Sequence, residues 1–495
     1  MDTDASTPTP AERLPARFET TTFAADAREL PDDTPARLAG RVVLWRQFGG
    51  LCFGHVLDGT GTVQFSIKRD ELGDEAFDHW NKEIGVGDFV GLGGVMYTTR
   101  KGEKTLGATE IVILQRAQRQ MPDKWAGIAS PEVRYRKRYL DLIANQESRE
   151  RFRTRFAIIQ RIRSFLEANR FVEVETPILQ DAAAGAAARP FITHHNALDQ
   201  DFYLRISPET YLKRVVAGSF DRVFEIGRNF RNEGTDPSHL QEFTMLEWYA
   251  AYWDFRDNMR FVRELILAVL DDVIGSRVVE FQGVALDFDG DWPELDFRDE
   301  VQRRTGIDLR ALTTLDALKP AVAALDLDVD VNDFHSWASL VDALYKRTVR
   351  PHLIQPCFVT NQPTELVPLA RRNDDDPTQL DMFQVVVNEW EIVKAYSELV
   401  DPVDQLARLQ EQVALREAGD DETMMLEEDF IECMEYGMPP MSGLGLGIDR
   451  FVALLTDAPN LRDVVLFPSM RRVVGDTVDH DGETDASETI EADPA

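Results

Sequence analysis

Cysteine is rare in this 495-residue chain: Cys52, Cys357 and Cys433 stand far apart with no C-x-x-C spacing, which excludes a disulfide framework and a cysteine zinc site. No apolar run approaches the roughly 18 residues that a membrane span requires. The opening MDTDASTPTPAERLPARFET also lacks the basic and apolar regions of a secretory signal. A soluble cytoplasmic protein without a membrane partner is therefore expected. Positive charge is scarce too. Against 87 Asp and Glu stand 54 Lys and Arg, only ten of them lysine, and the formal net charge is −33. Such a surface repels itself at low ionic strength, whereas near roughly 1 M salt the Debye length falls to about 3 Å and the repulsion is screened. The composition predicts the cytoplasm of a halophile. Taken alone, the acidic excess argues against a nucleic-acid partner, but binding depends on where charge sits and not only on its sum.

What remains is enough apolar material, 43% of residues, for more than one core. Residues 1–17, rich in Pro, Thr and Asp, and the acidic 472–495 cannot offset their ordering entropy by burial and are expected as disordered tails. Within 18–115, LAGRVVLWRQFGGLCFGHVLDGTGTVQFSIKRDEL and GDFVGLGGVMYTTRKGEKTLGATEIVIL alternate β-type runs with glycine turns, which predicts five short strands and a closed barrel of the OB type. Such barrels commonly bind single-stranded nucleic acid on exposed aromatics beside basic groups, and Arg46, Phe53 and Gln64 lie on three successive strands. On pattern alone, a lone strand phenylalanine reads as core. Residues 116–145 read as a linker into a second domain over 146–471. That domain opens with an amphipathic helix carrying Phe156, Ile159, Ile162, Phe165 and Leu166 at helical spacing. The arginines of this locally basic stretch are either a solvated face or a receiver for a phosphate backbone. FVEVETPIL then predicts an alternating strand ending at Pro177. Helical stretches over about 278–350 read as an insertion.

Residues 222–234, RVFEIGRNFRNEG, place three arginines within ten residues of a strongly acidic chain. Strand alternation puts Glu225, Asn229, Arg231 and Glu233 on one face, and Phe224, Ile226 and Phe230 on the other with Arg228 among them. The returning FTMLEWYAAY carries Phe243, Met245, Glu247 and Tyr249 on one face. Pairing the two strands gathers large hydrogen-bonding groups of both signs on one surface, where arginine suits phosphate or carboxylate and paired glutamates suit an ammonium or a metal. Further on, Gly443, Gly445 and Gly447 leave one strand face bare for a flat ligand, in a spacing that is not G-x-G-x-x-G. His194 and His195 have no cysteine or acid at metal spacing and read as structural.

The hairpin resembles motif 2 of the class II aminoacyl-tRNA synthetases, GLGLGIDR resembles motif 3, and FLEANRFVEVETPIL resembles motif 1. GAAARPFITHHNALDQDFYLRISPETYLKRV (Gly185 to Val215), LIQPCFVTNQP and LVPLARRN are similar, nearly residue for residue, to the lysyl-tRNA synthetase family of that class. The likeness runs from about Arg17 to Arg471. It implies an α+β chain: an N-terminal OB-fold barrel, then a class II catalytic domain whose antiparallel sheet is flanked by helices. It also implies a homodimer through motif 1 that activates L-lysine with ATP and transfers it to tRNA(Lys). A catalytically impaired tRNA-binding paralogue and a lysyltransferase acting on a protein are the competing readings.

Carried onto this chain, the resemblance implies that Arg231 bridges the α-phosphate and the lysine carboxylate. Phe243 would stack on adenine, Arg450 would cover its other side and reach the γ-phosphate, and Glu233 and His239 would hold ATP. Glu247 and Glu398 would hold the ε-ammonium, with Tyr249 hydrogen-bonding and Tyr396 flanking the methylenes. Glu209 and the Gly185 backbone would take the α-amino end. Glu391 would ligate Mg²⁺, with Glu398 and Gln384 at the other metal positions. Simple alternation sets Glu391 on the face opposite Lys394, Tyr396 and Glu398, so a bulge must intervene for it to join them. Phe53 would stack on the central anticodon base, with Arg46 and Gln64 at its edge. Three departures stand out: Gln384 replaces an acidic metal ligand, Lys394 replaces an asparagine near the substrate carboxylate, and Ser238 and Leu240 replace the arginine and asparagine flanking His239.

Overall fold

A computed structural model describes residues 14–121, 128, 130–234, 236–417 and 423–471. Most of the expected tails, residues 1–13 and 472–495, lie outside the described residues. The chain divides between residues 129 and 130 into two compact units.

In the first unit, Pro35–Phe48, Leu51–Leu57, Thr62–Lys68, Phe89–Thr98 and Lys104–Gln115 form a closed barrel in the order first, second, third, fifth, fourth. The two-residue period decides what fills it: Cys52, Val56, Val63, Phe65 and Ile67 point inward and are buried. Phe77, from the helix Asp74–Glu83, joins the same core, and Leu14 packs against it.

The second unit begins earlier than the sequence suggests. Half of the expected linker forms the helices Pro131–Arg136 and Arg138–Ala144. Arg138 is buried there, donating to Asp141 at 2.6 Å and to the carbonyls of Arg462 and Leu466 at 2.7 and 3.0 Å. The two carbonyls come from near the far end of the chain, so the packing that orders the segment is not local. The expected insertion is also part of the main architecture. Its strand Glu294–Asp296 pairs in parallel with Cys357–Thr360 at the edge of an eight-stranded sheet, and its helices share a core with Cys357, Val359 and Val386.

Across that sheet follow Met382–Val387, Trp390–Ser397, Met441–Gly447, Glu242–Ala251, Arg222–Phe230 and the two-residue Val172–Glu173. The last pair is all that forms of the strand expected before Pro177. Alternation splits the sheet into two chemistries. Phe224, Leu246, Trp248, Leu444, Leu446, Val393 and Ala395 face a core shared with the helices Gln146–Ala168, Phe255–Val269 and Ile448–Leu455. Trp248 is fully buried, and its indole donates to Asn258 at 2.8 Å while Asn258 donates to Ser442 at 2.7 Å. This tie fixes one helix to the glycine strand, and an unpaired indole N–H there would cost about 1–3 kcal/mol.

The helix Gln146–Ala168 buries Phe152, Arg155, Ile158, Ile162 and Leu166. Phe156, expected on that face, is 52% exposed. At 100° per residue it lies on the side opposite Ile158, so the apolar stripe is centred one position away from the expected one. Among the described residues no helix is long and apolar enough to cross a membrane.

Candidate active site

The other face of the sheet floors a cavity of about 310 Å³. In the hairpin Glu225 pairs with Glu247, Asn229 with Phe243 and Val223 with Tyr249, and of these Phe243, Glu247 and Tyr249 line the cavity, while Glu225 is held by Thr176 and Arg205. The glycine strand runs between two side-chain-bearing strands, with Gly443 paired to both Tyr249 and Tyr396, and Gly445 to both Glu247 and Lys394. A Cβ at Gly443 would collide with the Tyr249 ring and the Glu398 carboxylate, so the bare position is what lets both approach. Gly185, at φ 83°, also lines the cavity in a conformation that favours glycine.

At one end, acids converge behind the wall. Glu247 accepts from Ser207 Oγ at 2.8 Å and from Tyr249 OH at 3.2 Å. Burial, reinforced by the charge of Glu209, pushes the Glu247 carboxyl up to about 8. Tyr396 OH donates to Glu209 at 2.7 Å. Lys213 Nζ lies 2.7 Å from Glu209 and 2.5 Å from Glu398. Burial opposes the charge of Lys213, but the two carboxylates outweigh it and hold the ammonium above its ordinary range. Glu398, pushed up to about 8 by burial against the pull of Lys213, stands behind the cavity wall with its side chain fully buried. Its Oε2 pairs with Lys213, while its Oε1 points to the bare face of Gly443, which lines the cavity.

At the other end the groups are cationic and more open. Arg231 and Phe243 line the cavity together, the guanidinium 5.1 Å from the ring centroid. Arg450 donates to the Glu391 carbonyl at 3.1 Å and to His239 Nε2 at 2.9 Å, while His239 Nδ1 lies 2.7 Å from Asp236. With Nδ1–H donated to the carboxylate, Nε2 is left as the acceptor, so one neutral tautomer satisfies both contacts. Glu233 lines the same end, as does Ser238, whose carbonyl accepts from Arg450 at 3.4 Å. Leu240 lines it too but packs mainly into the core. Of the three arginines in the 222–234 stretch, only Arg231 reaches the cavity. Arg222 stacks 4.8 Å from the Trp253 ring centroid, and Arg228 lies 3.7 Å from Glu242.

The required bulge is present. Val385 pairs with Val393 and the next residue, Val386, with Glu391, so Ile392 is extra and Glu391 turns to the cavity face. Gln384 Nε2 donates to Glu391 at 2.5 Å, and Lys394, paired with Gln384 across the strands, lines the cavity. Gln384 does not line it. No group of three His, Cys, Asp or Glu side chains able to hold a metal occurs among the described residues, and His194 is hydrogen-bonded to Asp201 at 2.9 Å.

Two contributors escaped sequence reading. Asp449 accepts from the Thr244 amide at 2.8 Å and pairs with Arg155 at 2.6 Å, which ties the helix Gln146–Ala168 to the strand of Phe243 and to the residue preceding Arg450. Lys213 is the other. Its only sequence signal is a spacing of four from Glu209, the usual mark of a surface pair.

On the barrel, Arg46 pairs directly with Phe53, and Phe53 with Ser66, two residues along from Gln64, so all three expected residues share one outer face. Arg46 is exposed, and Phe53 and Gln64 are half-buried. Phe48, 61% exposed, stands beside Phe53 with ring centroids 6.3 Å apart.

Comparison with known proteins bears on both units. Residues 36–114 match the family described as OB-fold nucleic acid binding domain, and residues 130–471 match that described as tRNA synthetases class II (D, K and N). The chain is 44% identical over 440 residues to a lysine–tRNA ligase of Pelotomaculum thermopropionicum, covering 89% of this chain and 87% of that protein. It is 45% identical over 439 residues to one of Chloroflexus aurantiacus, covering 88% and 89%. With one of Roseiflexus castenholzii it shares 46% over 435 residues, covering 88% of each. An OB-fold domain followed by a sheet whose cavity joins guanidinium groups to buried carboxylates thus has a family: the chain belongs to the class II tRNA synthetases of the D, K and N group.

Proposed function

We propose that the chain is a lysine–tRNA ligase, condensing L-lysine with ATP to lysyl-adenylate and pyrophosphate, then passing the lysyl group to tRNA(Lys) with release of AMP. The observation that carries this is the polarity of the cavity, with Arg231 and Arg450 at one end and Glu247 and Glu209 at the other, backed by Glu398 behind Gly443. Lysine placed along it sets its carboxylate at Arg231 and its distal ammonium toward Glu247 and Glu398, with Tyr249 and Tyr396 along the stem. Its α-amino group meets Glu209 and the Gly185 backbone. A neutral side chain would leave buried carboxylates unpaired, so discrimination follows from desolvation.

Arg231 stabilises the charge that develops at phosphorus as the lysine carboxylate attacks, and Arg450 and His239 hold the rest of the triphosphate. Phe243 takes one face of the adenine, and Glu233 lies where it can bind the nucleotide. Lys394 adds positive charge near the two reacting anions. The donors suit Mg²⁺ in one way only: Glu391 presents one carboxylate to the cavity, and phosphate oxygens would complete the ion's preferred set. Gln384 would orient Glu391. Mg²⁺ held by Glu391 would supply charge neutralisation to the triphosphate.

Arg46, Phe53 and Gln64 form the anticodon face, Phe53 stacking on a base. We place the protein in a halophile's cytoplasm on its charge of −33. We assign it as a homodimer through motif 1, Phe165 to Leu179, with exposed Phe156 on the preceding helix bordering a groove lined also by Ile159 and Ile226. Lysine-dependent ATP–pyrophosphate exchange in high potassium chloride tests the assignment. Exchange with lysine and not aspartate is the expected result; equal exchange with aspartate would reject it.

A further inference from the structure

Lysine is scarce in this chain, and one of the ten sits where a cation is hardest to keep. Lys213, on the helix Glu209–Ala217, has no exposed surface, and the rings of Tyr249, Tyr396 and Phe430 surround its Nζ with centroids 6.0, 5.7 and 5.9 Å away. It is absent from the cavity lining. Both of its ion partners nevertheless belong to the closed end. Glu209 lines the cavity, and Glu398 stands just behind Gly443.

The charges at this end can be counted. Once a cationic ligand has drawn the protons from Glu247 and Glu398, the three carboxylates Glu209, Glu247 and Glu398 bring three negative charges, and Lys213 returns one, leaving two. A diammonium ligand whose carboxylate is turned to Arg231 offers two positive charges to the same end. Core filling alone does not explain Lys213, because an apolar residue of similar volume would occupy the space without the desolvation of a buried ion pair. Tyr249 and Tyr396, the remaining titratable groups packed here, contribute hydroxyl donors to Glu247 and Glu209 and no cation.

We propose that Lys213 is a positioning residue for amino-acid specificity, a resident ammonium that keeps Glu209 and Glu398 aimed at the cavity and matches the net charge of its closed end to a diammonium ligand. The inference rests on the lysine-ligase reading above. Without Lys213, Glu209 and Glu398 face each other with no cation between them, and mutual repulsion turns them from the geometry that the distal ammonium needs.

The test uses the full chain in high potassium chloride. For Lys213→Met, the lysine KM and kcat of ATP–pyrophosphate exchange are measured beside the inhibition constant of norleucine, which lacks the distal nitrogen. The lysine KM is expected to rise by about tenfold or more while kcat changes by less than about threefold, since breaking a buried ion pair by removing one partner is costly. Norleucine keeps the α-amino contact with Glu209 and has no distal nitrogen for Glu398 to hold, so its constant rises less than the lysine KM and the ratio of the two falls. A lysine that only supported the fold would lower the active fraction, and with it kcat, and leave the ratio alone. Lys213→Gln, which retains hydrogen bonds to both acids, gives the same reading where the methionine variant does not fold, and Lys213→Arg should recover part of the ratio. An unchanged ratio in the folded Met or Gln variant overturns the proposal. Absence of lysine-dependent exchange in the unaltered protein overturns the lysine-ligase reading instead.

Discussion

At the closed end of the cavity and behind its wall, opposite charges meet at 2.5 to 2.7 Å on side chains with almost no exposed surface, as Lys213, Glu209 and Glu398 show. On the barrel, Arg46 is exposed, Phe53 half-buried and Phe48 61% exposed. Desolvation explains the contrast. A small ligand with charges at fixed separation is read most sharply by groups removed from water, where an unmet charge is expensive. A polymer arrives with its own solvated backbone, so an open face offering stacking and a few edges suffices. The acidity of the whole chain bears little on either, because both depend on a handful of local side chains.

If the two regions work separately, substitutions in one should spare the other. Arg231→Ala should reduce pyrophosphate exchange by about a thousandfold, the scale for removing a donor that meets developing charge. Binding of tRNA, measured by filter retention, should stay within a factor of about two. A comparable loss of both would break the separation. Glu247→Gln should raise the lysine KM by about a hundredfold with a smaller effect on ATP, because it leaves a buried ammonium facing a neutral amide.

The pH dependence sharpens the same point. With its carboxyl raised to about 8, Glu247 is protonated in the empty site at neutral pH and must lose that proton to pair with an ammonium. The lysine KM should therefore fall as pH rises from about 6 to 8, by at most about tenfold per unit for each of the two raised carboxyls, Glu247 and Glu398. Glu247→Gln should remove the share of that slope that Glu247 contributes. In the ligand-free protein the sign for stability is the reverse. The folded carboxyl keeps its proton up to about 8, whereas the unfolded one, with an ordinary value of 4.5, has already released it, so this group's contribution declines with rising pH between those values. Thermal unfolding across that range checks the direction.

How much of this was legible depends on the range of the interaction. The hairpin could be read because a two-residue period assigns Phe243, Glu247 and Tyr249 to one face whatever lies beyond. Glu391 could be read only as a conflict between alternation and role, which the bulge at Ile392 resolves. Phe156 was misplaced because a helix with several apolar residues admits two stripes, and only packing selects between them. Arg155 and Lys213 were missed for a common reason. Each is a basic residue in a helix with nearby acids, the pattern of a solvated face, and its burial is decided by Asp449 or Glu398 far along the chain.

The barrel offers the smallest effect and the cleanest separation. Phe53 shares its face with Arg46 and Gln64, and its ring is half-buried. Phe53→Ala should weaken tRNA binding by about fivefold, the lower end of the 1–3 kcal/mol that stacking on an aromatic supplies per base. Exposed Phe48 beside it retains part of the platform, so Phe48→Ala combined with Phe53→Ala should exceed either single change. Pyrophosphate exchange requires no tRNA and should be untouched in both. Loss of exchange in a folded Phe53→Ala protein would mean that the barrel face acts on the cavity, and the division between enclosed and open recognition would have to be abandoned.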